Sequence, residues 1–292
     1  MGSLKEIRIR IASVESTQKI TGAMKMVSAA KLRRAQNAII SLRPYSNKLN
    51  EILQNLSSSA ESMADMPLFT ARDIENVVLV VISSNRGLCG SFNSNVVKEV
   101  RNLIETKYAK QAEAGKLKII CLGKKAKEQL AKTYDVIQCN EALIDTPVFN
   151  DTAQIAQFLM DGYTNKTIDK VDIIYNRFIN PATQKLVVEN YLPVQQLGDD
   201  SQKKQLNDYI FEPSKDEILE ELIPKIMKLQ LYKTLIDSIA SEHGARMTAM
   251  HKATDNATEI LKDLRLKYNN ARQSAITNEL IEIVSGAEAL NG

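Results

Sequence analysis

The sequence predicts an α/β fold class: a long antiparallel coiled coil of N- and C-terminal helices with an inserted Rossmann-like α/β domain. Apolar or small residues recur every seven positions through the last quarter of the chain, and a weaker heptad pattern runs through the beginning. Between them, short β-branched runs alternate with amphipathic stretches. The predicted organisation is a first helix over 1–56, a linker over 57–75, the α/β domain over 76–197, a mobile connection over 198–213 and a second helix over 214–292.

The first helix begins at a capping box formed by Ser3 and Glu6 and continues with an apolar row at three- and four-residue spacing. Polar residues occupy the seam between Gln18 and Ser28, which indicates a stutter in the supercoil. Residues 1–50 contain ten Lys and Arg against two acidic residues, a net charge of +8. An acidic partner surface is therefore expected nearby. The inward row is Leu4, Ile7, Ile11, Val14, Leu32, Ala35, Ile39, Leu42, Leu49, Leu53 and Leu56.

The middle of the chain has the alternating pattern of an α/β layer domain with a largely parallel sheet. Its first strand, 77–82, is a continuous β-branched run of the kind that is buried on both faces. The turn SSNRGLCGSFN follows this strand and leads into a helix over 94–108. The other predicted elements are strands over 118–122, 171–178 and 185–194, a Lys-rich helix after Gly123 and a helix over 152–161.

The second helix begins at the capping box of Ser214 and Glu217, and Pro224 is expected to kink or restart it. Its seam is interrupted by the polar residues His243 and Arg246. The two heptad rows are Leu222, Leu229, Ile236, Met250, Ala257, Leu264 and Ala271, and Ile226, Ala240, Met247, Leu261, Tyr268 and Ala275.

If residues 56 and 214 mark the same end of the helix pair, equal helical rise predicts the register of the coiled coil. Ile11 then faces Glu259 and Ile260, and Met24 faces Arg246 and Met247. The polar stutter of the first helix would face the polar interruption of the second. The second helix would extend beyond the first by roughly 20 residues as a single helix.

The residue inventory predicts no catalytic, cofactor-binding or metal-binding site. The turn after the first strand matches neither G-x-G-x-x-G nor G-x-x-x-x-G-K-[ST], so a structural turn is favoured. The two histidines are eight residues apart, and the three cysteines lack C-x-x-C spacing. The alternative function is a nucleotide-binding α/β protein with a coiled-coil interaction arm.

Nucleic-acid binding and direct membrane insertion are not expected either. The basic first helix has only Tyr45 as an aromatic residue for base stacking, and its apolar seam is committed to a partner helix. No apolar run approaches the roughly 20 residues that span a bilayer.

Both ends of the chain resemble the gamma subunit of rotary, F-type ATP synthases. The resemblance is carried by IRIRIASVESTQKITGAMKMVSAAKLRRAQ near the beginning and by SEHGARMTAMHKATDNATEILKDLRLKYNNARQSAITNELIEIVSGAEAL near the end, with SSNRGLCGSFN between them. It implies a non-catalytic central-stalk rotor. Such a rotor has as partners the alpha and beta subunits of the catalytic ring, the epsilon subunit and the membrane rotor c-ring.

The resemblance also implies roles for individual residues. Arg272, Gln273 and Thr277 of ARQSAIT match residues that contact the beta subunit. Met24 and Lys25 of AMKMV match the shaft face opposite an acidic beta segment. A second set couples the helix pair, namely Met24, Arg246, Met247 and Met250.

Two departures from the family pattern carry expectations of their own. Gly244 stands where the family usually has Ala, which is expected to loosen the helix by up to about 1 kcal/mol. Residues 198–212 contain no cysteine, so thiol regulation of the chloroplast type is not expected. An initiator Met directly before the first capping box suggests a bacterial protein, on the cytoplasmic side of the inner (plasma) membrane as a peripheral subunit.

Overall fold

A computed structural model describes residues 4–57, 66–194 and 215–291. The predicted connection over 198–213 and the capping residues Ser3 and Ser214 lie outside the described residues, as do the side chains of Leu53 and Leu56. The predicted domain bounds therefore stay predictions. The elements in chain order are α1 (Leu4–Ser57), β1 (Val77–Ile82), α2 (Phe92–Lys107), α3 (Ala109–Glu113), β2 (Leu117–Leu122), α4 (Lys124–Leu130), β3 (Val136–Asn140), α5 (Ala142–Asp145), α6 (Phe149–Thr164), β4 (Lys170–Asn180), β5 (Thr183–Leu192) and α7 (Lys215–Asn291).

The described strands form one sheet in the order β3-β2-β1-β4-β5. β1 pairs in parallel with β2 and β4, and β2 pairs in parallel with β3, which confirms the largely parallel sheet. β5 returns antiparallel to β4 as a hairpin. The sequence pattern missed β3, because this edge strand is half exposed and polar residues break its apolar alternation.

Every residue of β1, the central strand of the sheet, is buried. Val77, Leu79 and Val81 pack in one cluster with α2 residues that include Val96 and Val100. The β-branched run of β1 thus forms the centre of the α/β core, as its composition predicts. α6 contributes a further set of buried residues, namely Thr152, Ile155, Ala156, Leu159, Met160 and Tyr163.

The chain divides into two compact units. The first unit contains the beginning of α1 up to Ser28 and α7 from Met247 onward, and the second comprises Ala29–Arg246. α1 and α7 therefore each contribute one segment to the first unit and one to the second.

In the first unit the two helices pair antiparallel, as predicted, but in a different register. Arg8 contacts Tyr268 and Thr21 contacts Thr254, so residues of α1 face partners several positions further along α7 than expected. Ile260, the predicted partner of Ile11, is 47% exposed. The prediction was wrong because it assumed that the two helices end level with each other. A heptad seam matches itself at more than one offset, and the polar side chains select the register.

α7 runs without interruption through Pro224, so the predicted restart of the helix is wrong. Glu220 and Glu221 in the preceding turn are exposed, which leaves the carbonyl freed by the proline open to water. Ile223 and Ile226 beside it are buried, and this packing offsets the lost hydrogen bond.

Candidate functional site

A polar ladder crosses the helix pair of the first unit at the predicted stutter. Gln18 Nε2 donates to Thr258 Oγ1 at 2.7 Å, and Thr254 Oγ1 donates to Thr21 Oγ1 at 2.9 Å. Thr21 is only 9% exposed, and its hydroxyl accepts this bond and also donates to the carbonyl of Gln18 at 3.1 Å. The expected polar seam is therefore present on α1.

The residues of α7 that face this polar seam of α1 differ from the predicted ones. The polar ladder continues to Lys25, whose Nζ lies 3.4 Å from Nδ1 of His251. The sequence predicts that the stutter faces His243 to Arg246 and Met250; Met250 does lie buried in this seam, but His243 to Arg246 do not face Gln18, Thr21 or Lys25. Threonines and a histidine of α7 satisfy the seam instead, because small and polar side chains on facing positions can hydrogen-bond across it.

Nearer the beginning of α1, charged and aromatic contacts also join α1 to α7. Arg265 forms an ion pair with Glu15 at 2.7 Å, and Arg8 donates to the Tyr268 hydroxyl at 2.9 Å. The Arg8 guanidinium also lies 5.9 Å from the Tyr268 ring centroid. Arg8 and Arg265 are exposed and Glu15 and Tyr268 only half-buried, so these contacts specify the register more than they stabilise the pair.

The end of α7 projects an exposed helix surface beyond these contacts. Arg272, Gln273 and Thr277 are all exposed, and Thr277 Oγ1 donates to the carbonyl of Gln273. α1 begins at Leu4, only four residues before the Arg8 contact, so the register brings its end close to residue 272. The same segment exposes a set of large apolar side chains, Ile276, Leu280, Ile281, Ile283 and Val284.

An exposed apolar patch of this kind on a single helix indicates an enclosing partner.

The methionines and Lys25 of the predicted site lie in the first unit. Met24 and Lys25 are half-buried, and Met24 lies between the contacts made by Thr21 and Lys25. Met250 is buried in the seam and Met247 is half-buried. The register therefore brings Met24 alongside Met250 rather than Met247. Their assigned roles in partner contact and helix coupling stay predictions.

Arg246 belongs to the second unit, where its guanidinium is fully engaged. Nη1 donates to Glu242 Oε1 at 2.6 Å, one turn earlier on α7. Nε and Nη2 each donate to the carbonyl of Gly87 at 3.2 Å, and Nη2 also donates to the carbonyl of Arg86 at 3.0 Å. Arg246 thus joins α7 to the loop that follows β1.

Burial controls the ionisation of the two neighbours of Arg246. Burial raises the pKa of Glu242, and the positive charge of Arg246 partly counteracts this rise. Burial lowers the pKa of His243 to about 4, and the positive charges of Arg246 and Lys31 lower it further. His243 is therefore neutral at pH 7, and the site carries one ion pair.

The loop over residues 83–90 has several of its polar groups bonded within the protein. Asn93 at the start of α2 accepts from the backbone N–H of Ser84 and donates to the Ser84 hydroxyl at 2.7 Å. The carbonyls of Arg86 and Gly87 point to Arg246. These contacts occupy carbonyls of the turn and the backbone N–H of Ser84. The structural turn favoured from sequence stays a prediction.

The cysteines lack the environment of reactive thiols. Burial raises the pKa of Cys121 to about 12 and also raises that of Cys139, its neighbour on the adjacent strand. Burial likewise raises the pKa of Cys89. All three are protonated at pH 7 and therefore weak nucleophiles.

Residues 4–57, 66–194 and 215–291 contain neither a metal-binding cluster nor a membrane-spanning helix. No group of three or more His, Cys, Asp or Glu side chains could hold a metal ion there. In the same ranges, no helix combines the length and the apolar character that a membrane span requires.

Comparison with known proteins decides the family. The family model described as ATP synthase matches residues 3–290. The ATP synthase gamma chain of Flavobacterium johnsoniae is 53% identical over 292 residues, which cover 100% of both chains. The chain belongs to the ATP synthase gamma chain family. The gamma chain of a Geobacter species, strain M21, is 45% identical over 293 residues and again covers 100% of both chains.

Solved structures of similar fold agree with this membership. A chain of the Euglena gracilis mitochondrial ATP synthase, from an assembly of OSCP, F1 and c-ring, has a TM-score of 0.65 at 23% identity, covering 98% of this chain and 94% of that one. A chain of the central stalk and c-ring of the Tetrahymena thermophila mitochondrial ATP synthase has a TM-score of 0.56 at 24% identity, covering 80% and 99%. The combination of long helices and α/β domain is thus shared with these proteins.

Sequence reasoning missed several side chains of the site. Glu242, Thr254 and Thr258 had no assigned role, although each hydrogen-bonds a residue that the sequence singled out. One signal was available for Glu242, since a Glu four residues before an Arg on a helix predicts an ion pair. The threonines carried no such signal, because their partners lie more than two hundred residues away.

Proposed function

We propose that this chain is the central-stalk rotor subunit of an F-type ATP synthase. It would couple ion flow through the membrane rotor ring to conformational change at the catalytic beta subunits, for ATP synthesis or for hydrolysis in reverse. The observation that carries the proposal is membership of the ATP synthase gamma chain family over residues 3–290. The chain itself would be a non-catalytic subunit of the complex.

The proposed partners follow from the same assignment. They are the alpha and beta subunits of the catalytic ring, the epsilon subunit and the membrane rotor c-ring, with no nucleic acid and no direct insertion into the membrane. The complex would lie on the cytoplasmic side of a bacterial inner (plasma) membrane. The exposed apolar residues of the α7 tip, such as Leu280 and Ile283, support this proposal because they need an enclosing partner.

The beta-subunit contact is proposed at Arg272, Gln273 and Thr277 on the α7 tip, with Met24 and Lys25 contributing from α1. The exposure of Arg272 and Gln273 supports the proposal, because both side chains are available to another subunit. A guanidinium can form a bidentate, charge-assisted contact that is worth about 1.5 to 3 kcal/mol.

Two experiments test the proposed function. A tagged chain expressed in its own organism should co-purify with alpha, beta, epsilon and c subunits in a complex that hydrolyses ATP. Within that complex, Arg272→Ala with Gln273→Ala should lower turnover or coupling by about tenfold or more, because the lost contact is worth at least 1.4 kcal/mol.

The control is Lys262→Ala with Asp263→Ala, a pair of exposed residues on the same helix. This control should leave turnover within about twofold of wild type, since exposed charges contribute little. Wild-type synthesis and hydrolysis in the Arg272 and Gln273 variant would reject the contact assignment. A tagged chain that captures none of the ATP synthase subunits would reject the rotor function.

A further inference from the structure

The strongest unassigned arrangement in the molecule is the joint between helix α7 and the loop over residues 83–90. Arg246 is only 8% exposed, and Glu242, its ion-pair partner, is equally buried. Nη1 of Arg246 also lies 3.4 Å from Nδ1 of His243, and Nε and Nη2 donate to two consecutive carbonyls, those of Arg86 and Gly87. A forked guanidinium that spans two peptide units fixes both their position and their orientation.

The loop held in this way has an unusual backbone. Leu88 directly follows the clamped carbonyl of Gly87 and adopts φ +62°, a left-handed conformation that a branched residue seldom takes. Its side chain is 61% exposed, so apolar burial does not hold it there. Such a conformation persists only where the surrounding contacts over-determine it.

Two further side chains hold the loop from the α/β domain. Asn93 bonds Ser84, and Asn85 Oδ1 accepts from the backbone N–H of Lys124 at the start of α4. These contacts fix Ser84 and Asn85, the second and third residues after β1. The carbonyls of the next two residues, Arg86 and Gly87, accept hydrogen bonds from Arg246, which belongs to α7.

A second contact joins α7 to the α/β domain two residues earlier. The backbone of Gly244 lies so close to the β4–β5 hairpin that an added Cβ would be 3.2 Å from the Cα of Pro181. Further along the helix axis, the Tyr191 hydroxyl donates to the carbonyl of Met227. Without Arg246 the domain would stay attached through the hairpin and through Tyr232, whose ring packs against Phe149 and whose hydroxyl donates to the carbonyl of Pro147. The loop after β1 would lose its hydrogen bonds with α7.

We propose that Arg246 is a positioning residue that locks the loop over residues 83–90 to helix α7, so that the α/β domain and the helix carry torque as one body. The inference deepens the proposed rotor function and rests on it. Without this lock, torque would pass to the domain only through its remaining contacts with α7, and the loop over residues 83–90 would no longer be held to the helix by Arg246. The buried ion pair of Arg246 with Glu242 then has a mechanical purpose, since an apolar residue could fill the same space without desolvating a charge.

The test compares three variants in the complete ATP synthase complex that contains this chain. Arg246→Gln removes the fork, Arg246→Lys keeps the charge but not the planar fork, and Lys233→Gln is a control that removes an exposed charge from the same helix. The first measurement is hydrogen exchange of the amides of residues 84–90. Exchange should accelerate by about tenfold or more in Arg246→Gln, less in Arg246→Lys and not at all in the control.

The second measurement separates a mechanical role from a merely structural one. ATP-driven ion pumping by inverted membrane vesicles is measured against an increasing opposing gradient, together with ATP hydrolysis by the same vesicles. The ratio of pumping to hydrolysis should fall severalfold in Arg246→Gln as the load rises, and partly recover in Arg246→Lys. The wild type and Lys233→Gln should keep the same ratio at every load.

Each outcome decides the inference. Unchanged loop exchange in Arg246→Gln overturns the positioning role, and faster exchange with an unchanged ratio under load overturns the mechanical role. If Arg246→Gln fails to fold, the same two criteria apply to Arg246→Lys. If the wild-type chain assembles into no pumping complex, the rotor function itself is rejected. If the wild-type complex pumps and the Arg246→Gln complex has the same ratio of pumping to hydrolysis under load, this inference alone is rejected.

Discussion

Gly244→Ala is the substitution for which helix propensity and packing make opposite predictions. Gly244 lies in the interior of α7, where alanine is favoured over glycine by about 1 kcal/mol. Propensity alone therefore predicts that the variant is more stable. Packing predicts the reverse, because the new Cβ would lie 3.2 Å from both the Cα and the carbonyl oxygen of Pro181, and 3.5 Å from Cε2 of Phe178.

The magnitude follows from the kind of atoms that the methyl group would meet. The two nearest atoms belong to the backbone of the β4–β5 hairpin, so relief requires the hairpin to move rather than a side chain to rotate. Adding a methyl group to a tight contact costs about 1 to 3 kcal/mol. After the gain in helix propensity is subtracted, we expect Gly244→Ala to lower the free energy of unfolding by about 1 kcal/mol.

The assay is urea unfolding of the purified chain followed by circular dichroism, with Gly22→Ala as the matched control. Gly22 is also inside a long helix, but a Cβ added there would meet no atom within 4 Å. This control should raise the free energy of unfolding by about 0.5 to 1 kcal/mol. If Gly244→Ala stabilises the chain as much as Gly22→Ala, the packing argument is refuted and the glycine simply loosens the helix.

Two further predictions concern pH and helix register. His243 has its pKa lowered to about 4 by burial, so the unfolded chain binds a proton that the folded chain refuses between pH 6.5 and about 4. Stability should therefore fall by about 3 kcal/mol more in the wild type than in His243→Gln over that interval, and equal pH profiles in urea unfolding would contradict the assignment. Thr21→Cys with Thr254→Cys should form a disulfide readily, and the cross-linked complex should still turn over. Ile11→Cys with Ile260→Cys should form no disulfide. The reverse cross-linking result would favour the register expected from equal helix ends.

The sequence predicted the elements with strong patterns and missed those without them. The heptad rows of α7 and the continuous β-branched run of β1 report burial directly, since the first repeat with the period of a helix seam and the second is typical of a strand buried on both faces. β3 escaped detection because an exposed edge strand has no continuous apolar pattern. Hairpin strand β5 was found as a strand, but its antiparallel direction relative to β4 depends on pairing that no local pattern encodes.

Pro224 and Gly244 show why local rules were insufficient within α7. A proline inside a helix removes one hydrogen bond, yet buried neighbours and an exposed preceding turn keep the helix continuous. A glycine weakens an isolated helix, yet here its missing Cβ admits the hairpin that carries Pro181. In both cases, contacts between distant parts of the chain outweigh a propensity of a few kcal/mol or less.

By itself, the sequence determined the family, the α/β class, the two long helices and the exposed apolar tip, because these depend on repeating patterns and on extended similarity. Only the tertiary structure decided the register of the helix pair and the role of Arg246. A heptad seam is compatible with several offsets, and the polar contacts of Thr21 with Thr254 choose among them. The acceptors of Arg246 are backbone carbonyls, which every residue possesses, so no side chain in the sequence could reveal them.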